Sequence, residues 1–156
     1  MVRLSDLHKE EGQRLAAIAR DLPTVEPAPW ITPKPVADSK IALITSSGIH
    51  RRSDPPFQPG VPEFRLLPKD VDYGELVMTH ISANFDRSPF QEDPNVMIPI
   101  ERLDELVAAG EVGASADWHY AIMGAIPNPL MLEEIGTELG ELLANDGVDA
   151  AVLLPV

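Results

Sequence analysis

Two apolar runs frame this chain, Lys40–Thr45 (Lys-Ile-Ala-Leu-Ile-Thr) and Ala150–Val156 (Ala-Ala-Val-Leu-Leu-Pro-Val). Runs without polar alternation belong to strands covered on both faces, as in parallel sheets. In an open α/β sheet the ligand crevice lies just beyond the carboxyl ends of the strands. The residues that follow Thr45, and whatever is held beyond Val156, are therefore where a site is expected.

The intervening sequence alternates strand and helix signals. Leu4, Leu7, Glu11, Leu15, Ile18 and Leu22 recur at helical spacing, with Ser5 and Asp6 as caps and Pro23 as the stop. Pro23, Pro27, Pro29, Pro33 and Pro35 then make an extended connector, in which Trp30 and Ile31 are expected to dock onto the body. Ile49 to Gly60 reads as a polar, proline-rich loop, and Glu63–Leu67 and Glu75–Thr79 read as strands. Pro99 opens a helix with Ile100, Leu103, Leu106 and Val107 on one face, ended by Gly110. His119–Ile126 is a short apolar strand. Asn128 caps a last helix with Pro129 at its first position and a stripe of Leu132, Ile135, Leu139, Leu142 and Leu143. Gly136 and Gly140, on the adjacent face, are expected to let that helix approach the sheet closely, and Gly147 ends it. This order predicts an α/β fold: a layered, largely parallel sheet flanked by helices, flavodoxin-like or Rossmann-like. Residues 1–39 form the N-terminal helix and Pro-rich connector, and residues 40–156 the α/β domain.

Composition narrows the partners. With 12 basic against 25 acidic residues the net charge is -13, which argues against nucleic acid or an anionic membrane, since both need a basic face. No apolar run approaches the roughly 18 residues of a membrane span. The start Met1-Val2-Arg3-Leu4-Ser5-Asp6 lacks a secretory core. There is no cysteine, so disulfides and thiol chemistry are excluded within these residues. The expected location is cytoplasmic.

Three clusters can carry chemistry. Thr45-Ser46-Ser47-Gly48 can offer backbone N–H groups to a carboxylate or phosphate; a tight turn is the plainer alternative. The cluster has neither a dinucleotide fingerprint nor a P-loop, and Ser46 and Ser47 lack a nucleophile elbow. Thr79-His80, Asp86-Arg87 after Phe85, and Glu92-Asp93-Pro94-Asn95 share a long loop, and His80 can act there as an acid or base. Asp93 and Asn95 are expected to brace that loop through their own hydrogen bonds. A metal set of His80 with Asp86 or Asp93, and with His119, matches no standard spacing. His50-Arg51-Arg52 can hold an anion or be a solvated turn, and His119, between Trp118 and Tyr120, can equally be a satisfied interior histidine.

With these segments in place, the chain resembles the selenoprotein B family of glycine, sarcosine, betaine and D-proline reductases. The resemblance runs from about Lys40 to Val156. It is carried by Ala42-Leu43-Ile44-Thr45-Ser46-Ser47-Gly48-Ile49-His50, Thr79-His80 with Phe85-Asp86, and Glu92-Asp93-Pro94-Asn95 before Pro99. It continues through His119-Tyr120 with Met123-Gly124 and through Asp146-Gly147-Val148-Asp149-Ala150.

The resemblance implies reductive C–N cleavage by a selenocysteine or cysteine placed just after Val156, and no other cofactor in this chain. It also implies a pyruvoyl-bearing partner subunit, a thioredoxin-like electron donor and an amino-acid-type substrate. Because Leu154-Pro155-Val156 is reached without a cysteine, the chain is expected to be truncated on its C-terminal side, at a selenocysteine codon read as stop or by natural or engineered shortening. It is then inactive alone. The expected catalytic residues are His80 and Asp86; Ser46, Ser47, Gly48, His50, Arg51, Asp93, Asn95 and His119 are expected to line the substrate site. Uncovered apolar surface predicts a homo-oligomer. Two other classes remain open: a non-catalytic subunit for small-carboxylate binding or assembly, and a metal-dependent hydrolase or lyase on His80, Asp86 and Asp93.

Overall fold

The computed structural model describes residues 3–24, 26–82, 86–126 and 128–156. In chain order the first elements are α1 (Lys9–Asp21), β1 (Lys40–Thr45), β2 (Ile49–Arg51), β3 (Phe64–Pro68) and β4 (Leu76–Met78). They are followed by α2 (Ser88–Glu92), α3 (Ile100–Ala108), β5 (Ala114–Ser115), β6 (Trp118–Ile122), α4 (Glu133–Asn145) and β7 (Ala150–Leu154).

β1 is the centre of the main sheet. On one side it pairs in parallel with β7, from Ile41 opposite Ala150 to Thr45 opposite Leu154. On the other it meets two strands in succession, β5 along Lys40 and Ile41 and β6 along Ile44 and Thr45, both parallel. β3 closes that flank antiparallel to β6. The α/β class and the mostly parallel sheet are as the sequence predicts.

Strand alternation sends β1 side chains to two layers. Ile41 and Leu43 join Ile100 and Leu103 of α3, Ile49, Phe57, Leu67 and Met123 in the core. Ile44 faces α4 instead, across a cavity of about 280 Å³ lined by Ile122, Leu132, Ile135, Gly136, Leu139, Gly140, Leu143 and Leu153. Here the structure corrects an expectation. A Cβ added at Gly136 or Gly140 would meet nothing within 4 Å, so these glycines line open space and do not bring α4 tightly onto the sheet. Leu153 is left 70% exposed on this face and Val152 is exposed too, so β7, unlike β1, is not covered on both faces as its apolar run led one to expect.

Two further expectations change. Ile49–Arg51, read as the start of a loop, is a strand paired antiparallel with β4, Ile49 opposite Met78 and Arg51 opposite Leu76. The strand leading to His80 thus belongs to a separate two-stranded ribbon. The connector also does not dock through its aromatic residue: Trp30 is 94% exposed. Polar contacts hold it, an ion pair from Lys34 to Asp149 and a hydrogen bond from the Ser39 hydroxyl to the Pro35 carbonyl. No described helix is long and apolar enough to cross a membrane.

Candidate functional site

The carboxyl ends of β1, β6 and β7 meet at the loop Ser46-Ser47-Gly48. Ser46 N–H continues the ladder to the Leu154 carbonyl (3.0 Å), and Gly48 N–H donates to the Ile122 carbonyl (3.0 Å). Ser47 N–H donates to Thr45 Oγ1 (3.3 Å), whose hydroxyl donates to Ser47 Oγ (3.0 Å). All three loop amides are therefore spent inside the fold, and the expected backbone nest for a carboxylate is not open. Thr45 and Ser47 are fully buried.

Ser46 faces outward into a cavity of about 410 Å³ whose other walls are Ile44, Ile122, Leu153, Leu154 and Pro155. Its hydroxyl oxygen accepts from Val156 N–H at 2.9 Å. Its own O–H has only a long contact, 3.5 Å, to the Leu154 carbonyl. Pro155, without an amide hydrogen, breaks the ladder between these bonds, and the chain leaving β7 bends onto the β1 loop. Gly124 makes room for this: its N–H donates to the Ser46 carbonyl at 2.9 Å, and a Cβ there would lie 2.8 Å from Ser46 Cβ and from that carbonyl oxygen.

His80 reaches the same loop from the ribbon. Thr79 N–H donates to the Gly48 carbonyl (3.1 Å). Gly48 has φ +67°, a left-handed conformation suited to glycine, and a Cβ there would sit 3.2 Å from His80 N. The His80 ring is buried, and its Nδ1 accepts from Ser82 N–H at 3.2 Å. That bond places the proton of the neutral ring on Nε2. Burial, and secondarily the positive charge of Arg87, lowers its pKa from the usual 6.5, so the ring is neutral at pH 7. The Arg87 guanidinium donates to the His80 carbonyl.

The other expected site residues are each held by contacts of their own. Asp86 is exposed and accepts from Ser88 N–H at 2.9 Å; hydrogen bonds from Ser88 hold its carboxyl below the usual range. Phe85, quoted with it, lies outside the described residues. Arg51 is closed onto Asp54 through Nε (3.2 Å) and a second nitrogen (3.0 Å). His50 is buried on the ribbon, donates from Nδ1 to the Arg51 carbonyl (2.8 Å) and stands edge-on to Phe57. Asp93 accepts from the backbone and side-chain N–H groups of Asn95, both at 2.9 Å, and Asn95 also donates to Glu101. This is the bracing read from the sequence.

His119 is fully buried within the sheet. Its Nδ1 accepts from Leu43 N–H at 3.1 Å, and Nε2 lies 3.3 Å from the Ser115 hydroxyl. The ring thus replaces the carbonyl that β1 lacks where β5 hands over to β6. Among the described residues no three acidic or histidine side chains converge to hold a metal ion, and His80, Asp86 and Asp93 form no such group. A roomier cavity, about 560 Å³, lies between α1 and residues 128–130, walled by Arg14, Ile18, Leu22, Pro23, Asn128 and Leu130. It brings together none of the chemistry-bearing side chains just described.

The sequence matches the model of the glycine/sarcosine/betaine reductase selenoprotein B family over residues 16–155. The chain belongs to this family. Its relatives include the γ subunit of D-proline reductase from Acetoanaerobium sticklandii, 31% identical over 133 residues, covering 83% of this chain and 54% of the relative. Another is the β subunit of component B of the sarcosine reductase complex from Peptoclostridium acidaminophilum, 25% identical, covering 83% of this chain and 30% of that relative. The chain therefore spans about half the length of one curated relative and under a third of the other. No solved structure matches it. Both relatives are named as subunits of reductases. Arg87, on the same long loop as Asp86, was given no role from the sequence, although an arginine in so acidic a chain is a usable signal; in the structure it donates to the His80 carbonyl.

Proposed function

We propose that this chain is the substrate-holding part of an amino-acid reductase that cleaves a C–N bond reductively. The observation that carries the reading is the family match over residues 16–155, which takes in every wall of the crevice from Ile44 to Pro155. In the net reaction the C–N bond breaks, two electrons and two protons enter, and C–H and N–H bonds form. A thioredoxin-like dithiol supplies the electrons and ends as a disulfide, and a pyruvoyl-bearing subunit activates the amine. A selenocysteine or cysteine held directly after Val156 would supply the anionic nucleophile toward the α-carbon.

The chain's own residues do the rest. The apolar walls exclude water around the substrate, and Ser46 offers its O–H as the polar group of the crevice. Neutral His80 donates its Nε2 proton toward the departing amine, which leaves more readily protonated. Asp86 fixes the turn that carries Arg87. The layering is of the flavodoxin or Rossmann type, and the subunit works in the cytoplasm as a homo-oligomer within a larger complex.

Calorimetric titration of the purified chain with glycine, sarcosine, betaine and D-proline, against acetate and glycolate, tests this reading. At least one nitrogen-bearing ligand should bind at least about tenfold more tightly than the two plain acids, the order of one well-placed polar contact. Equal affinity for the plain acids would replace the reductase by a simple carboxylate-binding subunit, and no binding by any ligand would remove both.

A further inference from the structure

The acidic character of the body makes its cations conspicuous. From Lys40 onward there are seven basic residues, and five of them, Lys40, Arg51, Arg65, Lys69 and Arg102, each face a carboxylate in an ion pair. Arg52 and Arg87 have no ion pair among the described residues. Arg52 is exposed on the ribbon and its side chain has no described hydrogen bond. Arg87 is different, because its guanidinium is aimed: one nitrogen donates to the carbonyl of buried His80.

That anchor fixes where the charge sits. His80 packs against Gly48, the last residue of the loop that closes β1, so Arg87 is tied to the end of the sheet that carries the crevice. A guanidinium has five N–H donors in a planar fork suited to a carboxylate, and the bond to His80 uses one of them. The loop amides are already spent, and Arg51 and Arg65 are closed onto Asp54 and Glu63. D-proline and sarcosine, named for the relatives' reductases, each carry one carboxylate.

We infer that Arg87 receives the carboxylate of a small amino-acid substrate, held in place by the His80 carbonyl. This assignment rests on the reductase reading and moves the anion-binding role from the loop amides to a side chain.

The test uses D-proline and sarcosine with the full 156-residue chain, and D-prolinamide, which keeps the ring and nitrogen but loses the anion. Arg87→Gln should weaken binding of both acids about tenfold or more, in line with loss of a charge-assisted hydrogen bond, and leave D-prolinamide unchanged. Arg87→Lys should recover part of the loss, and Arg52→Gln should bind as the parent does. Arg87 is exposed, so an unchanged amide spectrum is expected and checks that the fold is intact. Parent-like binding of D-proline and sarcosine by Arg87→Gln would overturn the assignment while leaving the reductase reading standing. Failure of the parent chain to bind either acid would overturn both.

Discussion

Lowering the pH from 6.5 to 4 should cost the fold about 3 kcal/mol through His119 alone. Burial pushes this ring down from 6.5 to about 4, with the Asp146 carboxylate offsetting part of the effect. The unfolded chain takes up the proton near 6.5, while the folded chain resists until about 4. Between those values the unfolded state binds more protons, so stability is fully present above 6.5 and is lost progressively as the pH falls. The local consequence is specific. A proton on Nδ1 removes the acceptor for Leu43 N–H and leaves a buried donor unpaired in the central strand.

His80 shifts in the same direction, so the assignment needs a variant. His119→Asn keeps an acceptor near Nδ1 and cannot titrate, so its unfolding free energy should be much flatter over this range. His119→Ala should be less stable than the parent at pH 7 by about 3 kcal/mol, combining the orphaned amide with a cavity. The lowered carboxyls of Asp86, Asp93, Asp117 and Asp149 contribute only at lower pH, because their usual value is 3.8 and their shifts are downward. Urea unfolding followed by circular dichroism at half-unit pH steps measures the slope. A parent slope that survives in His119→Asn would assign the acid sensitivity elsewhere.

The second large effect is expected at Gly124. A methyl group there would sit 2.8 Å from Ser46 Cβ and carbonyl oxygen, and 3.0 Å from its hydroxyl. Ser46 cannot step aside without breaking its bonds to Leu154 and Gly124. Gly124→Ala should therefore destabilise the chain by about 2–3 kcal/mol, as overpacking against backbone does. It should also raise the exchange rate of Val156 N–H, which loses its Ser46 acceptor. Gly136→Ala is the matched control: with nothing within 4 Å of the new methyl, it should be neutral or stabilising by up to about 1 kcal/mol. Equal denaturation midpoints for Gly124→Ala and the parent would mean that the Ser46 junction is not tightly built.

Much of the scaffold was legible because its signals are local. Lys40–Thr45 and Ala150–Leu154 announce themselves as apolar runs, and Asn128 caps the helical turn before α4 with its side chain on Leu130 N–H. The ribbon was not legible. Ile49-His50-Arg51 has one apolar residue in three, and its strand character comes from pairing with Leu76–Met78, distant in sequence. His119 shows the same limit at a single side chain: its role depends on a gap between β5 and β6 that no spacing reveals. Ser46, Ser47, Gly48 and His80 were singled out by their place after strands, and the structure brings these four residues together. What a sequence could not show is that all the loop amides are consumed by the fold, which shifts attention from the backbone to Ser46 Oγ, His80 and Arg87.

The central claim is that the substrate sits at the carboxyl ends of β1, β6 and β7. Amide chemical-shift mapping of the isotopically labelled chain, titrated with D-proline and with sarcosine, tests it most directly. Saturable shifts should centre on Ser46, Ser47, Gly48, His80 and Gly124. Shifts centred instead on Ile18, Leu22 and Leu130 in the larger groove beside α1, or none in a chain that remains folded, would contradict it.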